Sequence, residues 1–181
     1  HHRVAVFSSS GKFVRMLGSK GAGAGQLDGP RAVAVTHDGV VYVADTGNGR
    51  VQVFSRDGLF LKSFGAPGEA DGQFKGGPSA LAVDPLGRVH VMDQRRVQTF
   101  DADGGFLAVL DRPRTDNKEA APPAPAGLAA DAFGALYVAG AQQKIEEYGP
   151  DGKYIASFGT YGTGAGQFKA LSGLAAAPGG I

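Results

Sequence analysis

The 181 residues carry 18 Lys and Arg against 17 Asp and Glu, a formal net charge of +1, so no polyelectrolyte attraction for nucleic acid is built into the chain. Cysteine is absent, which excludes a disulfide framework and thiolate metal sites, and fits a reducing compartment as well as a bacterial extracytoplasmic one. No apolar run is long enough for a membrane-spanning helix and no signal-peptide pattern is visible, although a leader or anchor encoded upstream would leave the same picture, so the compartment stays open.

In chain order, the first elements are two short strands, Val4–Phe7 and Phe13–Leu17, joined by a turn at Gly11. A glycine-rich connection follows, and then four strands with strand chemistry: Ala32–Val35, residues 40–44, residues 51–54 and Phe60–Phe64. Val, Phe and Tyr suit a pleated surface, and the turns between them hold Asp38-Gly39, Asn48-Gly49 and Asp57-Gly58, which suit tight reversals. The same order returns from residue 80 and again from residue 127, and residues 173–176 read as the first strand of one more unit. No stretch combines helical periodicity with helix start and stop signals.

The order returns at a fixed period. Arg3-Val4 with Phe7, Arg50-Val51 with Phe54, Arg96-Val97 with Phe100 and Lys144-Ile145 with Tyr148 recur at spacings of 47, 46 and 48 residues. Behind each stand a turn glycine (Gly11, Gly58, Gly104, Gly152), an aromatic (Phe13, Phe60, Phe106, Tyr154) and an apolar strand end (Leu17, Phe64, Leu110, Phe158). Four antiparallel strands per unit of about 40–50 residues predict an all-β fold, a β-propeller of four-stranded blades. Small residues in the first strand of each unit place it innermost, where blades crowd the axis. The apolar second strand is expected to be buried on both faces, and charges such as Arg15 and Lys62 mark the fourth as an outer edge.

Gly25-Gln26-Leu27, Pro30, Ala32–Val35, Gly39, Val41–Asp45, Asn48-Gly49-Arg50 and residues 51–54 reproduce nearly all of the NHL repeat pattern, and Gly72-Gln73-Phe74 and Gly166-Gln167-Phe168 open later units. The chain therefore resembles the NHL-repeat family along essentially its whole length, and the resemblance implies a propeller, usually six-bladed. Six blades at this period need about 280 residues. The expectation is thus a single NHL-type propeller domain over residues 1–181, incomplete, with units beginning near Arg3, Arg50, Arg96 and Lys144. It would hold three complete blades, partial blades at both ends and fifteen strands, with missing blades or another chain covering the open blade faces. A closed four-bladed ring is the distant alternative. His1-His2 read equally as a tag remnant or as native sequence. One unit departs from the pattern: the proline-rich stretch 111–126 replaces Gly-Gln-Phe, and Gly140 replaces Asp. Drift of a loop is favoured there over a specialised surface element.

No catalytic, cofactor-binding or metal-binding residue is assigned. The four inner strands hold no His, Asp, Glu or Asn. Peptide-amidating lyases, which the resemblance brings in, carry a metal-binding His just after the proline before the inner strand; Arg31, Ser79, Ala126 and Ser172 stand there instead. His37 sits in a turn, and His90 replaces the Tyr of Tyr42 and Tyr137 and reads as a packed residue between blades. Asp84 and Asp131 read as turn caps. Asp45, Asn48, Arg50 and Asp93 recur with the repeat, which points to a structural role, since a catalytic residue is needed once. The loops joining second to third strands and blade to blade collect Arg31, Lys75, Arg95, Arg96 and Tyr161 as a candidate ligand face. The expectation is a non-catalytic binding or scaffolding module without a cofactor, its partner a protein. RNA and glycan have thinner support, because acidic residues dilute the basic ones and aromatics are few. The alternative is a lyase or hydrolase whose central metal is held by blades outside this chain.

Overall fold

A computed structural model describes residues 1–94, 96–110, 127–140 and 143–176. Arg95, Ala126 and the rest of the proline-rich stretch lie outside the described residues. The chain forms two compact units, His1–Ser79 and Ala80–Ile181.

In the first unit, β1 (Val4–Phe7) and β2 (Phe13–Leu17) form a hairpin. A four-stranded antiparallel sheet follows in the order β3 (Ala32–Val35), β4 (Val41–Asp45), β5 (Arg50–Phe54), β6 (Phe60–Phe64). Its turns close as their sequences require. The Val40 N–H donates to Thr36 Oγ1 at 2.9 Å and the Leu59 N–H to Ser55 Oγ at 3.1 Å, while Gly39 and Gly58 take positive φ of 91° and 86°. The recurring aromatics meet edge to face: Phe7 with Phe13 at 6.0 Å and Phe54 with Phe60 at 6.1 Å between ring centroids, a geometry worth about 0.5–1.5 kcal/mol beyond area burial. Leu17, Leu27, Val43 and Phe54 form the core, with Val4, Val6, Val41 and Phe60 against it. This packing leaves inner strand β3 half open, with Val33 and Val35 about half exposed, because the β1–β2 hairpin covers the β4–β6 side of the blade.

The second unit holds two blades, β7 (Pro78–Val83, beginning two residues before the unit), β8 (Val89–Asp93), β9 (Arg96–Phe100), β10 (Phe106–Val109), and β11 (Gly127–Ala130), β12 (Leu136–Ala139), β13 (Ile145–Tyr148), β14 (Tyr154–Phe158). Second strands β8 and β12 are buried at every position, and outer strand β10 is exposed at every position. Phe100 meets Phe106 and Tyr148 meets Tyr154 edge to face, as in the first unit.

Two features differ from the sequence expectation. Residues 173–176 form no strand: Leu174 packs on Ala135, Tyr137 and Ile145, and a Cβ on Gly127 would stand 2.9 Å from Gly173 Cα. The segment lies on the face of the β11–β14 sheet, where no ladder groups are presented. And a two-residue parallel pair, β15 (Thr160–Tyr161) with β16 (Gln167–Phe168), closes the loop after β14.

Candidate functional site

That parallel closure recurs. Lys20 bridges Leu27, Pro67 bridges Phe74, and Tyr161 pairs with Phe168, so three connections following an outer strand share one construction. In each, the glutamine of the Gly-Gln-apolar triplet folds back on its own loop. Gln26 Oε1 accepts the Gly23 N–H at 2.9 Å, Gln73 Oε1 that of Ala70 at 3.2 Å, and Gln167 Oε1 that of Gly164 at 2.8 Å. The preceding glycines, Gly25, Gly72 and Gly166, have φ of 72°, 79° and 71°, a left-handed turn that glycine enters without steric cost. Leu27 and Phe74 are then driven into the interior as plugs.

In the first unit the loop is tied to the blade through one carboxylate. Asp45 is fully buried. Its Oδ1 accepts the Asp28 N–H at 2.6 Å, and its Oδ2 accepts Asn48 Nδ2 at 2.9 Å, Arg50 Nε at 2.9 Å and Gln52 Nε2 at 3.0 Å. The donors carry the link onward: Asn48 to the Gly21 carbonyl, and Arg50 to the carbonyls of Gly23 and Gln26 at 2.8 and 3.0 Å. Gln52 donates to the Gln26 carbonyl and accepts the Gly25 N–H at 2.9 Å. A buried carboxylate that takes four donors has its hydrogen-bonding capacity met within the blade. Gln52 and its counterpart Gln98, both fully buried, were not singled out in the sequence; the visible signal was a glutamine at the same strand position in two units. In the second unit Arg96 Nε stands 2.9 Å from Asp93 Oδ1, and Arg96 Nη2 3.2 Å from Oδ2.

The remaining candidates on the loop face are placed as follows. Arg31 is exposed at the entry to β3, its backbone N–H held by the Ala44 carbonyl and its guanidinium unpaired among the described residues. Lys75 Nζ is 2.5 Å from Glu69 Oε1, both exposed. Tyr161 is 70% exposed on β15. Arg31 and Lys75 belong to one unit and Arg96 and Tyr161 to the other.

At the opposite end of the β7–β10 blade the structure assembles a second polar group. Asp84 caps the β7–β8 turn, its Oδ1 accepting the N–H groups of Leu86 and Arg88, both at 2.9 Å. Its Oδ2 lies 2.6 Å from Arg88 Nε and 3.3 Å from His90 Nε2, and His90 Nδ1 lies 3.0 Å from Thr99 Oγ1. Burial alone pushes the Asp84 carboxyl up; hydrogen bonds from His90 and from the Arg88 side chain and backbone outweigh it and hold the carboxyl at about 2. An ionised Asp84 can only accept, so His90 Nε2 carries the proton of that contact. His90 is thus packed and hydrogen-bonded at once. In the neighbouring blade Tyr137 stands at the equivalent position, its hydroxyl donating toward Asp131 Oδ2 at 3.3 Å and Glu147 Oε1 at 3.4 Å. Burial and those two carboxylates push its pKa up to about 12, so it remains a donor. Among the described residues no three His, Asp or Glu side chains converge to hold a metal ion.

Four-stranded antiparallel blades joined by these loops define a β-propeller. Residues 27–54, from the Leu27 plug to the end of β5, match the family model of the NHL repeat, so the chain carries that repeat on propeller blades. Similar solved structures include a streptogramin B lyase, at 18% identity and a TM-score of 0.54 over 72% of this chain and 40% of that one. Virginiamycin B lyase from Staphylococcus aureus is 12% identical, with a TM-score of 0.61 over 87% and 48%. A chain of the mitotic checkpoint complex is 14% identical, with a TM-score of 0.60 over 86% and 44%. Identities this low show the fold alone, and the chain spans less than half the length of each of these structures. No curated protein matches the chain at a significant level.

Proposed function

We propose that the chain belongs to a non-catalytic NHL-repeat propeller that binds a macromolecular partner, a protein in the first place, through the end of the blades where the β4–β5-type and blade-to-blade loops emerge. One observation supports this reading most. The three Gly-Gln-apolar loops share one internal hydrogen-bond scheme while the exposed residues they carry differ, among them Lys20, Lys75 and Tyr161. A rigid scaffold that presents variable side chains is how loops on a repeat fold acquire specificity. In this reading Arg31, Lys75, Arg96 and Tyr161 are partner contacts, and Asp45, Asn48, Arg50 and Asp93 hold the loops. Residues 1–181 then form part of one propeller domain completed by further blades. The catalytic alternative draws only on the likeness in fold to the two lyases, and fold does not carry activity. The described inner strands β3, β7 and β11 supply no His, Asp or Glu ligand for a central metal.

The test is site-specific photo-crosslinking from position 161 and, in parallel, from position 57 on the turn end of the full-length protein, with charge reversal as the control. A single protein adduct that disappears in Arg31→Glu/Lys75→Glu and persists in Arg56→Glu, on the turn end, is expected. Adducts formed equally from the turn end would overturn the assignment of the face, and recovery of RNA in place of protein would overturn the partner class.

A further inference from the structure

The turn end of the second unit contains a cleft of about 330 Å³, at the small end of the range of ligand sites. Its walls are apolar: Leu107, Val109 and Leu110 at the end of the β7–β10 blade, and Leu136 from the next. His90 and Thr99 also line it. Their hydrogen bonds are already spent on each other and on Asp84, so this part of the lining makes no polar demand on an occupant. Arg88 differs. Its Nε bonds Asp84 and its Nη2 bonds the Pro150 carbonyl at 2.9 Å, which locks the guanidinium at the cleft while Nη1 has no partner among the described residues. Lys153 and Asp151 also line the cleft and pair with each other at 2.9 Å, so the charge left to an occupant is that of Arg88. An immobilised guanidinium with an unused donor edge beside an apolar wall matches an anionic head on an apolar body.

The equivalent positions in the other two complete blades cannot build this. Arg88 corresponds to Val40 and Ala135, His90 to Tyr42 and Tyr137, and Thr99 to Val53 and Glu147. A group that the repeat does not require, present in one blade and lining a cleft, is not explained by blade construction. We propose that this cleft is a binding site for a small amphiphilic carboxylic acid, its carboxylate on Arg88 and its apolar body against Leu107, Leu110 and Leu136. The site lies in one unit and at the turn end of its blades, so it stands or falls independently of the loop-face reading.

The experiment is calorimetric and ligand-observed NMR titration of the protein with hexanoate and 4-phenylbutyrate, each against its matched alcohol. The carboxylates are expected to bind about tenfold or more tighter than the alcohols, a difference that Arg88→Met erases. Ala108→Phe, which fills the cleft from exposed strand β10 at the position paired with Thr99, is expected to abolish binding of both while the far-UV spectrum and the cooperative unfolding transition are retained. Arg31→Glu/Lys75→Glu, on the loop face, is expected to leave the titrations unaltered. Failure of the wild type to bind, equal affinity for acid and alcohol, or binding that survives Ala108→Phe would each overturn the proposal.

Discussion

The β3–β6 and β7–β10 blades are built to one plan, and three of the positions at which they differ change the hydrogen bonding at the turn end. In both, an Asp at the end of the second strand pairs with an Arg at the start of the third, a buried Gln sits two residues further on, and an edge-to-face aromatic pair closes the outer hairpin. Thr36, Tyr42 and Val53 in the first blade become Asp84, His90 and Thr99 in the second, and a hydrogen-bonded carboxylate–imidazole–hydroxyl chain appears. The shared parts close the fold. The parts that differ create chemistry that no blade needs, so position within the repeat separates construction from specialisation.

The comparison breaks most severely at Asp45. Asp45→Ala removes the acceptor that Arg50 Nε, Asn48, Gln52 and the Asp28 N–H share and is expected to cost about 3–5 kcal/mol, read as a lowered urea midpoint. A cost below 1 kcal/mol would show that the network adds little to the stability of the blade. Next comes Asp84→Asn, whose amide would turn a donor toward Arg88 and His90; a loss of about 2–3 kcal/mol is expected at neutral pH. This variant also sharpens the pH dependence. The folded pKa of Asp84 lies below its ordinary 3.8, at about 2, so its stabilising contribution is complete above the ordinary value and lost as pH falls through the folded one. Urea midpoints measured between pH 5 and 2 should therefore fall less steeply for Asp84→Asn than for the wild type; parallel curves would refute the linkage.

Thr99→Val makes the second blade resemble the first at that position. It removes the hydroxyl that meets His90 Nδ1 and is expected to cost about 1–2 kcal/mol, with a shift of the His90 ring resonances in NMR spectra. Unchanged His90 resonances would contradict a hydrogen bond between the two side chains. The smallest effect is in the β11–β14 blade, where Gln143 takes a φ of 60° and its buried Oε1 has no partner among the described residues. Gln143→Gly relieves both and is expected to stabilise by about 1 kcal/mol. A fall in Tm would mean that the side chain is needed there.

Much of the blade was legible without coordinates, because its determinants are local. Turn glycines, the Thr36 and Ser55 caps, β-branched strands and aromatics spaced across a hairpin act over a few residues, and each stands in the chain at the repeat period. The Asp45–Asn48–Arg50 group was visible as a recurrence, but the loop it holds was not. Gln52 reaches Gly25 across 27 positions and Asp45 reaches Asp28 across 17, distances over which spacing carries no signal. The Arg95 candidate and the proline-rich stretch lie outside the described residues, and the inner strand expected at 173–176 did not form. Its small apolar residues suit a strand, but a ladder needs a second backbone alongside, which residue pattern cannot supply.

By itself, then, the sequence determined the repeat, the strand order within a blade and the turns, since these follow from backbone preference and hydrophobic alternation within a few residues. Only the tertiary structure decided that His90 stands between Asp84 and Thr99, that Arg88 is locked with one donor unused, and that an apolar cleft opens beside them. Those contacts bring together groups from separate strands and turns, where the free energy depends on burial and hydrogen-bond geometry rather than on residue order.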